Sequence, residues 1–395
     1  MKKVKKFLNQ YWRIGAVLLL VATLLSGLLI FRLDSLVVGY SATEQASQQT
    51  SSSLRAIYND PVNAPYKLLV WLSLKCGFHS LLATRIAAVT IALGIAALFY
   101  WVASRWYSKR ITLFATLMLV TSSSFLHAGR NGSALILQMA SLLLIGAVLY
   151  FQYSPHRLYK LYIMTALFAL CVYIPGMVWL ELFGLWLLRK YIIKIFRQLS
   201  HLHAALILWL GLLLTLPLLW VGAHNWTVLH AIVGIPTSAP SLSTLFESTK
   251  HFVSAFLYRG YWSPETWLYG APLLNIGEVL FFIAGLYGCL KKPRLRFNFF
   301  LFICAAITAF LVILSGGVSI TILVPFVYFI IAGGIFLVLD EWLSTFPRNP
   351  IAQGFGISLI GIFVAFSVLY HMQAYFKAWP NAPETKQVYV VNPRP

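Results

Sequence analysis

The 395-residue chain is 60% hydrophobic and only 10% charged, which leaves too little polar surface to coat a soluble globule of this size. Its formal charge of +20 does not point to nucleic acid, because the basic residues fall in short clusters between apolar runs and form no basic face on a soluble module. Those apolar runs recur at roughly 17 to 25 residues, the length a helix needs to cross the hydrocarbon core, and the alternation of a barrel is absent.

Lys2, Lys3, Lys5, Lys6 and Arg13 precede span one, Ile14 to Phe31. No small-residue cleavage site follows, so the segment reads as a retained anchor with a cytoplasmic N-terminus. The first outer loop covers 32–82. Within it, residues 66–78 are apolar but short and carry Lys67 and Lys75, which marks an interfacial helix. Span two (Ala83 to Ser104) ends at Arg105, Lys109 and Arg110. A tight turn, HAGRNGS at 127–133, joins span three (Ile111 to Leu126) to span four (Ala134 to Phe151). Leu161 to Leu188 could form one long helix, but Pro175 and Gly176 interrupt its ladder. Two short helices, spans five and six, keep Arg189, Lys190, Lys194 and Arg197 on the cytoplasmic side.

Span seven (Ala204 to Val221) leads into a second large outer loop, 222–275. Spans eight (Ile276 to Leu290), nine (Phe297 to Leu314), ten (Ser319 to Leu339) and eleven (Phe355 to Tyr375) follow, and the tail 376–395 lies outside. The sequence therefore predicts an all-α polytopic protein of the cell membrane, one domain over 1–375 with about eleven spans and two large outer loops. Asp34, Glu44, Asp60, Glu247, Glu265, Glu278 and Glu384 fall outside or at the outer boundary, and only Glu181, Asp340 and Glu341 do not. Chemistry is therefore expected on the outer face.

Cys76, Cys171, Cys289 and Cys304 show no CxxC pairing and no histidine at ligand spacing, so they read as small buried hydrophobes. His201 and His203 read as solvated, and no G-x-S-x-G, H-E-x-x-H or P-loop occurs. Asn131-Gly132-Ser133 and Asn225-Trp226-Thr227 match the short N-glycosylation pattern.

Five segments carry a resemblance through their order and spacing. They are GYSATEQAS (39–47), DPVNAPYKLLVWLSLKCGF (60–78) with Arg85 opening span two, SSSFLHAGRNGSALI (122–136), ALCVYIPG (169–176) and WLYGAPLLNIGEVLFFIAGLYG (267–288). Together they resemble the GT-C superfold membrane glycosyltransferases, in particular the protein mannosyltransferase and aminoarabinose-transferase-like branch, which use a polyprenyl-phosphate-linked sugar. The resemblance implies that Glu44, with Thr43 standing where the family has an Asp, is the base that takes the acceptor proton, with Asp34 in reserve. It implies that Arg130, beside His127, holds the leaving lipid phosphate through its planar fork.

Arg259 and Lys250 are further phosphate contacts on this reading, and Tyr258 and Trp262 could stack on a sugar. Headgroup snorkelling and an interfacial aromatic belt account equally for these second-loop residues, and a solvated carboxylate for Glu44. The acid that the family carries a few residues beyond the second-loop arginine is absent here, which counts against a metal-dependent variant. No cofactor is implied, a divalent metal stays open, and the acceptor is unspecified. Two alternatives stand beside enzymatic transfer. One is a non-catalytic scaffold that binds a lipid-linked glycan; the other is a flippase or transporter, which the scarcity of charge within the spans disfavours.

Overall fold

The computed structural model describes residues 21–153, 158–260, 263–291, 296–314 and 316–389. The basic N-terminal cluster, the start of span one and Trp262 lie outside these described residues.

A helix satisfies its backbone internally, which lipid requires, and a helix lies over each of the eleven apolar segments. In chain order they are α1 (Val21–Ile30), α2 (Ala42–Thr50), α3 (Leu54–Asn59), α4 (Ala64–Lys75), α5 (Ser80–Ala103), α6 (Lys109–Thr121), α7 (Ser123–Arg130), a 3₁₀ segment Ala134–Ser141, α8 (Leu142–Tyr153), α9 (Leu158–Cys171) and α10 (Met177–Gln198). The second half comprises α11 (His201–His224), α12 (Trp226–Val233), α13 (Leu242–Leu257), α14 (Ile276–Lys291), α15 (Arg296–Leu314), α16 (Val324–Thr345), α17 (Pro350–Gln373), a π turn Ala374–Ala378, α18 (Trp379–Asn381) and α19 (Pro383–Val388). Among the described residues, four helices (82–103, 201–224, 324–345 and 350–381) are long and apolar enough to cross a membrane by themselves, and α6 with α7 qualifies as a bent pair.

Three departures from the sequence reading have local causes. His127 to Arg130 are helical, not part of a turn. Ser122 takes the N-cap position, its Oγ accepting from Phe125 N at 3.2 Å, and the chain bends there by 58°. Gly129 serves packing: a Cβ there would lie 2.8 Å from Ala92 Cβ on α5. The break at 174–176 is present, with Gly176 at φ +77° and its N–H donating to Ile232 O at 2.8 Å. The helix after it is not short, however, and its last turns carry Arg189, Lys190 and Lys194. Cys76 is exposed at the end of α4, whereas Cys171, Cys289 and Cys304 are buried.

The core runs through α5, α7, α14 and α16, with Phe99, Phe125, Phe326 and Phe329 fully buried. The first loop folds into α2, α3 and α4, and the second into α12, α13 and the irregular stretch that leads to α14. The two loops meet over the ends of α5 and α7.

A candidate active site between the two loops

Ser41-Ala42-Thr43-Glu44 is a capping box, and it starts α2 where the polar sequence turns helical. Ser41 Oγ accepts from Glu44 N at 3.2 Å, and Glu44 Oε2 accepts from Ser41 N at 3.3 Å. This geometry turns the Glu44 side chain inward. There Oε1 accepts from Arg85 Nε at 2.9 Å and from Gly132 N at 2.8 Å, while Oε2 accepts from Arg85 Nη2 at 3.0 Å. Glu44 is 0% and Arg85 3% exposed. A carboxylate met by four donors around a bidentate fork is fixed in orientation and walled from solvent. Arg85 also donates to Leu33 O at 2.8 Å, so the pair pins the whole entry to the first loop onto α5.

Arg130 is equally occupied. Its Nε donates to Tyr375 OH at 3.2 Å, its Nη1 to Leu28 O and its Nη2 to Phe31 O, each at 2.5 Å. The guanidinium also lies over the Tyr375 and Phe376 rings, 5.3 and 4.8 Å from their centroids. It ties the end of α1 to the end of α17. Glu44, Arg85, His127, Arg130 and Asn131 surround one small cavity of about 10 Å³ beneath Tyr375, Trp379 and Tyr389, too little for a ligand. The remaining residues singled out in the sequence do not join it. Asp34 is exposed in the turn after α1, and Lys250, Arg259 and Tyr258 are exposed on the second loop.

Glu265 lies six positions beyond Arg259. Its Oε1 accepts from Thr43 N at 3.1 Å and also from Thr43 Oγ1, so a second-loop carboxylate reaches the first turn of α2. The other carboxylate oxygen has no hydrogen-bond partner among the described residues. Glu265 lines a cavity of about 630 Å³ together with Ser248, His251, Phe252 and Val388. Three contacts hold its backbone: Tyr389 OH donates to Glu265 O at 2.9 Å, Asn131 Nδ2 to the same oxygen at 3.4 Å, and Trp379 Nε1 to Pro264 O at 2.9 Å. Burial pushes the Tyr389 hydroxyl well above the usual phenol range, and the nearby Glu44 carboxylate adds to the shift, which keeps it a donor. The sequence reading holds the second-loop acid absent and leaves Glu265 among the outer carboxylates; what singles it out is its contact with Thr43, 222 positions away.

A second buried carboxylate uses the same cap device. Glu278 and Asn275 exchange backbone and side-chain bonds at 3.0 Å, and Glu278 then accepts from Tyr328 OH at 2.8 Å, Ser367 Oγ at 3.0 Å and His371 Nε2 at 2.8 Å. With Nε2 donating, His371 Nδ1 accepts from Ser123 Oγ at 2.9 Å. This network fastens the start of α7 to α14, α16 and α17. No group of three or more His, Cys, Asp or Glu residues among those described could hold a metal ion.

No protein-family model and no curated protein matches the sequence. Two crystal structures of ArnT from Cupriavidus metallidurans do match in fold. The form bound to undecaprenyl phosphate has 16% identity and a TM-score of 0.55, and the apo form 17% and 0.54. Each match covers 95% of this chain and 77% of the ArnT chain. The described residues form an all-α fold similar to that of these ArnT structures, and the long apolar helices make the chain an integral membrane protein.

Proposed function

We propose that this protein is a glycosyltransferase that moves a sugar from a polyprenyl-phosphate-linked donor to a hydroxyl acceptor in the cavity bordered by Glu265. The observation that carries the reading is the meeting of the two loops: Thr43 engages one oxygen of Glu265, and the same side chain borders a cavity of about 630 Å³, within the range of small-molecule sites. The fold likeness to ArnT bound to undecaprenyl phosphate supports a lipid-phosphate donor.

Glu265 takes the proton from the acceptor hydroxyl. The freed oxygen forms its bond to the anomeric carbon as the carbon–oxygen bond to phosphate breaks, and the lipid phosphate leaves with the electron pair. Glu44, with both oxygens engaged by Arg85 and backbone N–H groups, has the lesser access to a substrate, and its role is to hold α2 so that Thr43 can orient Glu265. Lys250 and Arg259 lie exposed on the second loop and are assigned to the phosphate in place of Arg130, which is engaged by backbone carbonyls.

Release of labelled sugar from polyprenyl-phosphate donors tests the assignment in membranes. Glu265→Gln should slow transfer by about 10²- to 10⁴-fold, the usual worth of a positioned base, with melting temperature unchanged. Glu44→Gln should lower the melting temperature. Full transfer by Glu265→Gln, together with loss in Glu44→Gln at unchanged stability, would return the base role to Glu44.

A further inference from the structure

We infer that the recess beneath Trp267 seats one face of the transferred sugar, and that this face carries no charged substituent; the inference rests on the glycosyl-transfer reading. The recess is lined by Ser124 and His127 of α7, by Thr266 and Trp267 of the second loop, and by Ser319 and Thr321 before α16. Ser124 and His127 stand three positions apart, so they share one face of α7. They are 2% and 3% exposed, and neither Ser124 Oγ nor His127 Nε2 has a hydrogen-bond partner among the described residues. Buried polar atoms are normally met, and unmet ones are costly. Two on the same wall of one recess leave polar groups that an ordered water satisfies at rest and a sugar hydroxyl satisfies on binding.

The chemistry of the lining selects the ligand. A sugar ring offers hydroxyls that both donate and accept, and the recess presents the hydroxyls of Ser124, Thr266, Ser319 and Thr321 and the imidazole of His127, which packs against Trp267 with 5.5 Å between ring centroids. Among the described residues, Asp, Glu, Lys and Arg are absent from the lining. An ammonium or carboxylate on the ring face that enters the recess would therefore be buried with no counter-ion there, which is strongly unfavourable. The recess holds about 30 Å³ and shares Ala255 and Gly260 with the wide cavity. It therefore grips one side of the ring while the other side stands in the open space. Thr266 lines the recess and Glu265 the cavity, so the proposed base borders the exposed side of the seated ring.

Equilibrium binding to the full-length protein in nanodiscs separates this inference from the reading beneath it. The probes are bare polyprenyl phosphate, a polyprenyl-phosphate hexose and the corresponding amino hexose. The hexose lipid should bind about tenfold tighter than the bare phosphate, and the amino form no tighter than the bare phosphate. Ser124→Ala and His127→Phe should each erase the hexose advantage and leave bare phosphate binding unchanged, with Ser124→Ala keeping the wild-type melting temperature. A hexose advantage that survives both substitutions, or tighter binding of the amino form, would overturn this site alone. No binding of any probe would overturn glycosyl transfer and this site with it.

Discussion

Arg85 and Glu44 lie 41 positions apart, and each oxygen of the carboxylate accepts from the guanidinium. Burying both ions is expensive, and their attraction repays it only while both are present. Arg85→Ala strands the carboxylate and should cost about 3–5 kcal/mol, whereas the apolar double substitution Arg85→Met with Glu44→Leu should recover most of that loss. Unfolding of the purified protein by a denaturing detergent titration would rank the three proteins, and a double variant as unstable as the single one would refute the accounting. Glu44 and Arg85 each stood out in the sequence, but nothing local says that they pair. What the sequence did contain was the S-x-x-E box that turns Glu44 inward, repeated as N-x-x-E at Glu278. Lys67 is the contrasting case, since burial lowers its pKa despite the ion pair with Asp60 at 2.6 Å. Below the lowered folded-state value the ammonium is charged in both states and its burial penalty is fully present. As pH rises through that value, the folded protein releases the proton first, so stability rises until the unfolded-state value near the ordinary lysine range is passed. Lys67→Met should flatten this alkaline slope, and an identical slope in the variant would assign the titration elsewhere.

Helix pairs in lipid gain little from the hydrophobic effect and depend on close backbone approach through small residues. The α14–α16 contact shows this directly: a Cβ at Gly285 would sit 1.9 Å from Ile330 O, and one at Gly334 would sit 1.8 Å from Phe281 O. Neither obstacle is a side chain that can swing away, so Gly285→Ala or Gly334→Ala must separate the helices and should cost at least about 2 kcal/mol. Gly288 on the same helix is the control, because its Cβ would meet only Leu337 Cδ2 at an ordinary 3.6 Å. Equal melting temperatures for Gly285→Ala and Gly288→Ala would contradict the packing argument. Element identity was legible wherever a physical rule was strong: apolar runs gave the helices, and Pro175-Gly176 gave the break. HAGRNGS misled because Gly129 and Asn131 are turn residues by composition. At Gly129 the missing side chain serves contact with Ala92 instead, and only the partner helix reveals that.

At the scale of the molecule, the recurrence of apolar runs of spanning length predicted the fold class, because a helix satisfies its backbone within each run. It could not predict which loop residues touch, since Thr43 and Glu265 are 222 positions apart and both lie in polar stretches that periodicity does not describe. The proposed site requires both loops to lie on one face. Cys76, exposed after α4, and Leu242, 86% exposed at the start of α13, report the two loops separately; the other three cysteines are buried. In intact cells a membrane-impermeant maleimide should label native Cys76, and it should label Leu242→Cys in a Cys76→Ser background. Lys194→Cys, exposed on the last turns of α10, should react in that background only once the membrane is opened. Labelling of Cys76 and Leu242→Cys from opposite sides would be incompatible with the hydrogen bonds between Thr43 and Glu265. It would also remove the cavity wall on which a base, a seated sugar and an approaching acceptor all depend.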